Sequence, residues 1–256
     1  DANVVNVAVA SGQSFVVRNC RFVAIDDGSG IIYVSSDGLR VESCSFEYCY
    51  GPYRHNAITE RGGKTLEVSD CKFLCISKTV ANHGGVFNGW LGGFRVSNCT
   101  VVRCIHAYGA NWNTAYGGSG AIYCAERHDK ADFYDCVFSN NYCATSHEKG
   151  PSFFSEPVRM KRCVFSNNLA ECSPNAGSAF AMISQNVFDG YSARSYEGCA
   201  FEANVIRART VAAESGDYVL GIVGNGAQGG DAVLLNCSFK DNVAETLVEK
   251  DGVTPI

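Results

Sequence analysis

The sequence predicts an all-β protein folded as a single-stranded parallel β-helix, a solenoid of about eight turns with three short strands in each, forming one domain over residues 1–256. Three observations predict it. A cysteine-plus-aromatic phrase returns eight times, as Cys20-x-Phe22, Cys44-x-Phe46, Cys71-x-Phe73, Cys99-x-Val101, Cys136-x-Phe138, Cys163-x-Phe165, Cys199-x-Phe201 and Cys237-x-Phe239. The intervals between copies are 24, 27, 28, 37, 27, 36 and 38 residues, so the phrase is kept while the connections change length, as in stacked repeats joined by variable loops. Apolar residues alternate over short stretches, and no helical periodicity is sustained. Short strands at regular spacing also suit a β-sandwich, but a sandwich does not repeat one phrase in register.

Each element of the repeat has its own reason. With the Cys numbered zero, position −3 is Val17, Val41, Val68, Val96, Phe133, Met160, Tyr196 or Leu234, and position −5 is apolar in every copy except Arg194. Side chains alternate along a strand, so −5 and −3 share one face and zero and +2 share another. The change of parity between −3 and zero requires a bend if both pairs are to face one core. Position −1 supplies it, being Asn, Asp, Gly or Ser in all copies but Arg162, residues that tolerate left-handed backbone or close a tight turn. Position +5 holds Ile25, Cys49, Ile76, Cys104, Asn141, Asn168, Asn204 and Asn242, a shielded slot in which the Asn copies can stack as an amide ladder. A third strand follows in most repeats, over Ile31–Val34, Asn56–Thr59, Gly85–Asn88, Gly120–Tyr123, Ser152–Ser155, Ser178–Ala181 and Tyr218–Gly221.

Composition restricts the function. With 21 basic and 26 acidic residues, a net charge of −5 and no basic run, there is no electrostatic basis for binding nucleic acid. No apolar run is long enough to span a membrane, and no charged-then-apolar leader opens the chain. The first residue is not Met, so the chain reads as a mature or excised segment of a larger protein. Of the fourteen cysteines, eight belong to the phrase, where a buried thiol behaves as a small apolar residue. Second cysteines (Cys49, Cys75, Cys104, Cys143 and Cys172) leave disulfides open as an alternative, with no readable connectivity. Knuckles of the C-x-x-C kind are absent and the His are not interleaved with Cys, so neither a metal nor another cofactor is expected. Asn98-Cys99-Thr100 and Asn236-Cys237-Ser238 are sequons at the corner position, candidates for glycosylation.

The runs Phe138-Ser139-Asn140-Asn141, Phe165-Ser166-Asn167-Asn168, Phe201-Glu202-Ala203-Asn204 and Phe239-Lys240-Asp241-Asn242, with Gly118-Ser119-Gly120-Ala121-Ile122, resemble the F-x-x-N and G-G-A-I repeats of the polymorphic outer-membrane proteins, within the wider pectin-lyase-like superfamily. The resemblance implies a right-handed β-helix displayed at the cell surface or outside the cell and serving adhesion. In the first half of the chain Ile or Cys replaces the Asn. Enzymes of the same superfamily cleave acidic polysaccharides with paired Asp carboxylates, or with Ca²⁺ and a proton-abstracting Arg. Candidate fragments for such chemistry are Asp26-Asp27, Asn82-His83-Gly84-Gly85, and Asp129, Asp132 and Asp135. The last three share no strand face by spacing and read as a charged loop.

A binding surface fits the residues better. Residues 105–120 read as a long loop carrying Tyr108, Asn111, Trp112, Asn113 and Tyr116. The preceding repeats add Trp90, Tyr53 and His55. Aromatic residues in loops either pack or bind, and flat faces beside amide and guanidinium groups suit sugar rings. The expected function is a non-catalytic, adhesin-like or glycan-binding module, with surface glycans or host proteins as partners. A polysaccharide lyase or hydrolase and a subunit that stacks end to end with itself are the alternatives.

Overall fold

The computed structural model describes residues 4–7, 14–25, 31–35, 38–50, 57–60, 65–78, 85–89, 93–108, 120–125, 131–145, 152–154, 158–172, 179–183, 194–211, 219–223 and 232–249. The protein is all-β: among the described residues there are many short strands, parallel in every ladder, and no helix.

The strands before each phrase cysteine form one sheet, Phe15–Arg18, Leu39–Glu42, Leu66–Ser69, Phe94–Ser97, Ala131–Tyr134, Val158–Lys161, Arg194–Glu197 and Ala232–Leu235, bonded in that order. Those after it form a second, Arg21–Val23, Ser45–Glu47, Lys72–Leu74, Thr100–Val102, Val137–Ser139, Val164–Ser166, Ala200–Glu202 and Ser238–Lys240. A third sheet holds Val5–Val7, Ile32–Val34, Ile58–Glu60, Phe87–Gly89, Gly120–Ala125 and Ser152–Phe154, and a separate pair joins Ala179–Ala181 to Val219–Gly221. In each sheet the neighbours come from consecutive repeats. The chain therefore visits the sheets in rotation, and each strand pairs with its counterpart one repeat away.

A fourth sheet departs from the three strands expected per repeat. It contains Ser77–Lys78, Ile105–Tyr108, Tyr142–Thr145, Leu169–Cys172, Val205–Val211 and Val243–Glu249. Ile105–Tyr108 is thus a strand and not the start of a loop. Its alternation is disguised because Ile105 faces solvent while the polar His106 is buried. Asp132 lies within a strand and Asp135 at a corner, which corrects the charged-loop reading of those two residues; Asp129 is outside the described residues.

Two left-handed residues per repeat make the corners. Position −1 has φ between 51° and 61°, from Asn19 and Ser43 through Arg162 to Gly198 and Asn236. A second corner at +4 uses Ala24, Tyr48, Cys75, Arg103, Asn140, Asn167, Ala203 and Asp241, at φ 50–55°. Left-handed backbone costs most side chains about 1–2 kcal/mol. Hydrogen bonds between repeats hold it: the Asn19 N–H donates to the Glu42 carbonyl at 3.1 Å and the Tyr48 N–H to the Leu74 carbonyl at 2.9 Å.

The inward faces make one continuous core. Phe22, Phe46 and Phe73 stack with centroids 4.8–4.9 Å apart, and Phe138, Phe165, Phe201 and Phe239 stack at 4.6–5.3 Å. Val101 interrupts the column, and Phe87 and Phe133 from other sheets fill the space it leaves, edge-on to Phe73 and Phe138. At +5 the amide ladder forms. Asn141, Asn168 and Asn204 each donate from Nδ2 to the Oδ1 of the next Asn at 2.9 Å and to a carbonyl of the preceding repeat at 2.9–3.0 Å.

Candidate functional site

The phrase cysteines also form a column. Cys44, Cys71, Cys99, Cys136 and Cys163 are buried free thiols. Each donates to the carbonyl two residues before it and to the −3 carbonyl of the preceding repeat, as Cys44 does to Glu42 at 3.3 Å and to Val17 at 3.5 Å. In return the Cys44 N–H donates to the Cys71 sulfur at 3.4 Å. Cysteine thus acts here as a small hydrogen-bonding core residue. Among the second cysteines, Cys49, Cys75 and Cys104 are free thiols, and the side chain of Cys172 lies outside the described residues. No group of three or more His, Cys, Asp or Glu among the described residues is placed to hold a metal ion.

Burial pushes the Cys44 thiol up to about 11 and Cys104 up to about 12, and raises Cys49. Cys99, between the sulfurs of Cys136 and Cys71, is raised too. The unfolded chain ionises these thiols near 9.0 while the folded chain keeps them neutral. Their stabilising contribution is complete below pH 9 and is lost as the pH rises through 11 to 12. Thermal melts under reducing conditions are expected to show stability falling above pH 9, by up to about 1.4 kcal/mol per pH unit for each such thiol. A profile flat to pH 11 would rule this out.

On the outward face of the sheet before the cysteines, charges alternate from repeat to repeat. Arg40, Glu67 and Arg95 occupy one column with Asp132 and Arg159, and a shallow groove lies between Arg40, Glu42, Glu67, Ser69 and Arg95. Asp132 accepts both guanidinium bonds of Arg159 at 2.6 Å, and Asp135 those of Arg162 at 2.6 Å. The Arg162 guanidinium holds the Asp135 carboxyl below its usual range. Both Asp are engaged as rungs of ion-pair ladders, an arrangement unlike a carboxylate held ready to exchange protons. Asp26, Asp27, Asn82, His83 and Gly84 lie outside the described residues.

The third sheet has the most unusual polar chemistry. Tyr33, Thr59 and Asn88 each follow a core residue, Ile32, Ile58 and Phe87, on their strands. These three are register partners on adjacent strands. Thr59 is 0% and Asn88 1% exposed, yet Thr59 Oγ1 and both polar atoms of the Asn88 amide make no hydrogen bond. Leaving such groups unmet costs about 1–3 kcal/mol each. Sequence reading missed this pair, because a Thr and an Asn in short strands look like ordinary surface residues.

Among the sequence-predicted binding residues, Trp90, Asn111, Trp112, Asn113, Tyr116, Tyr53 and His55 lie outside the described residues, as does the side chain of Tyr108, which ends the strand Ile105–Tyr108. Connectivity still fixes where their segments attach. Residues 51–56 lead into Ala57 and the strand Ile58–Glu60, residues 109–119 lead into Gly120–Ala125, and residue 90 follows Phe87–Gly89. The three strands are neighbours, with Phe87–Gly89 in the middle. Two of the segments enter where the strands begin and the third leaves where they end, about 10 Å away across three residues.

Asn98 and Asn236 are exposed corner residues with φ of 52°. Asn98 Nδ2, the atom a glycan would take, donates to Asp70 Oδ1 at 2.6 Å. No protein-family model and no curated protein matches the chain. No helix among the described residues is long and apolar enough to cross a membrane.

Proposed function

We propose that the chain is a right-handed, single-stranded parallel β-helix working outside the cell or at its surface as a non-catalytic, adhesin-like glycan-binding module. Sheets whose strand order follows the chain, bonded repeat to repeat, support the coil. At roughly 4.8 Å per turn, eight turns make a rod of about 40 Å. The F-x-x-N repeats of the second half, similar to those of polymorphic outer-membrane proteins, point to surface display. The observation that carries the glycan reading is the attachment of three aromatic-bearing segments to three adjacent strands of one sheet. Aromatic faces carried by segments at the two ends of these strands offer stacking platforms for sugar rings.

A glycan array tests it, with the Trp90→Ala, Trp112→Ala double variant alongside and circular dichroism matched between the two. Binding by the native chain, weakened at least tenfold in the variant, is the expected result. An array on which the native chain binds nothing would sink the reading.

A further inference from the structure

We propose that the repeat containing Ala232–Leu235 and Ser238–Lys240 is an open docking end, which takes a strand-forming segment of another polypeptide carrying one further F-x-x-N repeat. This interaction is separate from the glycan reading. Ala232–Leu235, Ser238–Lys240 and Val243–Glu249 each stand at the end of their sheet, bonded on one side only. Such an edge is a template for another strand. Its core-facing side chains are bare: Leu234 is 47% and Phe239 50% exposed, whereas their counterparts one repeat back, Tyr196 and Phe201, are buried. The outward side is apolar as well. Position −2 is polar in all seven earlier repeats, from Arg18 to Glu197, and is Leu235 here; position −4, charged from Arg40 to Arg159, is Val233. With Val243 and Leu247 these form an apolar patch gathered on one repeat, the mark of a surface that a partner covers.

The hydrogen bonds that join earlier repeats say what fits. At +5 the backbone N–H and the Asn Nδ2 both donate to the Oδ1 of the next repeat's Asn, as Asn204 does to Asn242 at 3.0 and 2.9 Å. No described residue accepts from the Asn242 N–H in turn. The corners follow the same rule: the Gly198 N–H donates to the Leu235 carbonyl at 2.8 Å and the Ala203 N–H to that of Lys240 at 2.9 Å. Among the described residues, Asn236 and Asp241 have no such carbonyl ahead of them. The end thus offers N–H donors beside an aromatic face. A strand that sets a Phe on Phe239 and an Asn Oδ1 at Asn242 meets both, adding a strand to each open sheet edge.

A second copy of the chain does not supply this. Head to tail it presents Ile25 at the +5 slot, with no oxygen, and its Val17 and Phe22 are already covered, at 6% and 8% exposure. End against end, two Asn242 set donor against donor, because each Oδ1 is engaged by its own Asn204. Residues 250–256 contain neither an aromatic residue nor Asn.

The test adds a fluorescein-labelled peptide of residues 194–211, which carries Phe201-x-x-Asn204, to the whole chain under reducing conditions, with anisotropy as the readout. Saturable binding is expected, weakened tenfold or more by Phe201→Ser or Asn204→Leu in the peptide, changes that leave the protein untouched. Phe239→Ser in the protein is expected to weaken binding of the native peptide as much. A native peptide that does not bind, or variant peptides that bind equally well, overturns the inference. So does sedimentation in which the chain alone dimerises and the peptide fails to compete, since the end then belongs to a second copy.

Discussion

Replacing Asn168 with leucine is expected to lower the free energy of unfolding by about 3–5 kcal/mol, the sum of two or three buried polar groups left unmet. Asn168 is 1% exposed. Its Oδ1 accepts from the Asn141 N–H at 3.0 Å and from Asn141 Nδ2 at 2.9 Å, while its Nδ2 donates to the Phe138 carbonyl and to Asn204 Oδ1, both at 2.9 Å. Leucine has the same branched side-chain skeleton, is bulkier, and satisfies none of these. Asn168→Cys is expected to cost roughly half as much, because the same slot already accepts a thiol: Cys49 Sγ reaches the equivalent Phe22 carbonyl at 3.8 Å. Urea titrations of the two variants check both the size and the order. Equal losses in Leu and Cys variants would mean that the amide bonds contribute little beyond volume.

Phe73→Ala is expected to cost a comparable 3–5 kcal/mol through lost burial and the cavity left behind. The ring is fully buried, stacked on Phe46 at 4.8 Å and meeting the edge of Phe87 at 4.9 Å, and such aromatic pairs add about 0.5–1.5 kcal/mol beyond area. The site has little means of collapse, because Phe87 already swings into the space beside Val101. Phe73→Leu is expected to retain most of the stability, and a similar loss for Leu and Ala would show that stacking geometry outweighs volume.

Much of the fold was legible because the repeat grammar is physical. The −5, −3, zero and +2 positions are apolar because they face the core, and Asn19, Asp70 and Asn98 announce their corner by chemistry suited to left-handed backbone. The +4 corner was illegible for the opposite reason: Ala24, Tyr48 and Arg103 are held in the same conformation by donating their N–H groups to carbonyls of the next repeat, a tertiary cause that no local preference reveals. The fourth sheet was hidden likewise, since exposed Ile105 and buried His106 invert the usual pattern. At the candidate site, the aromatic segments were visible in the sequence. Thr59 and Asn88 were not, because only the structure shows that both are buried and unmet.

The changeover at +5 from Ile and Cys to Asn, between Cys104 and Asn141, divides the stack into links of unequal strength. From Asn141 onward each step is clipped by an amide that both accepts a backbone N–H from the repeat before it and donates to a carbonyl of that repeat. Before it, Ile25 and Ile76 offer no polar bond and Cys49 and Cys104 offer only a thiol. Strands bonded only to counterparts one repeat away behave as a one-dimensional chain of coupled links, which opens first where coupling is weakest. Heat or pulling force should therefore part the interior between Ser45–Glu47 and Lys72–Leu74 before it parts Val137–Ser139 from Val164–Ser166. The molecule is in effect a zipper with fine teeth at one end and coarse ones at the other.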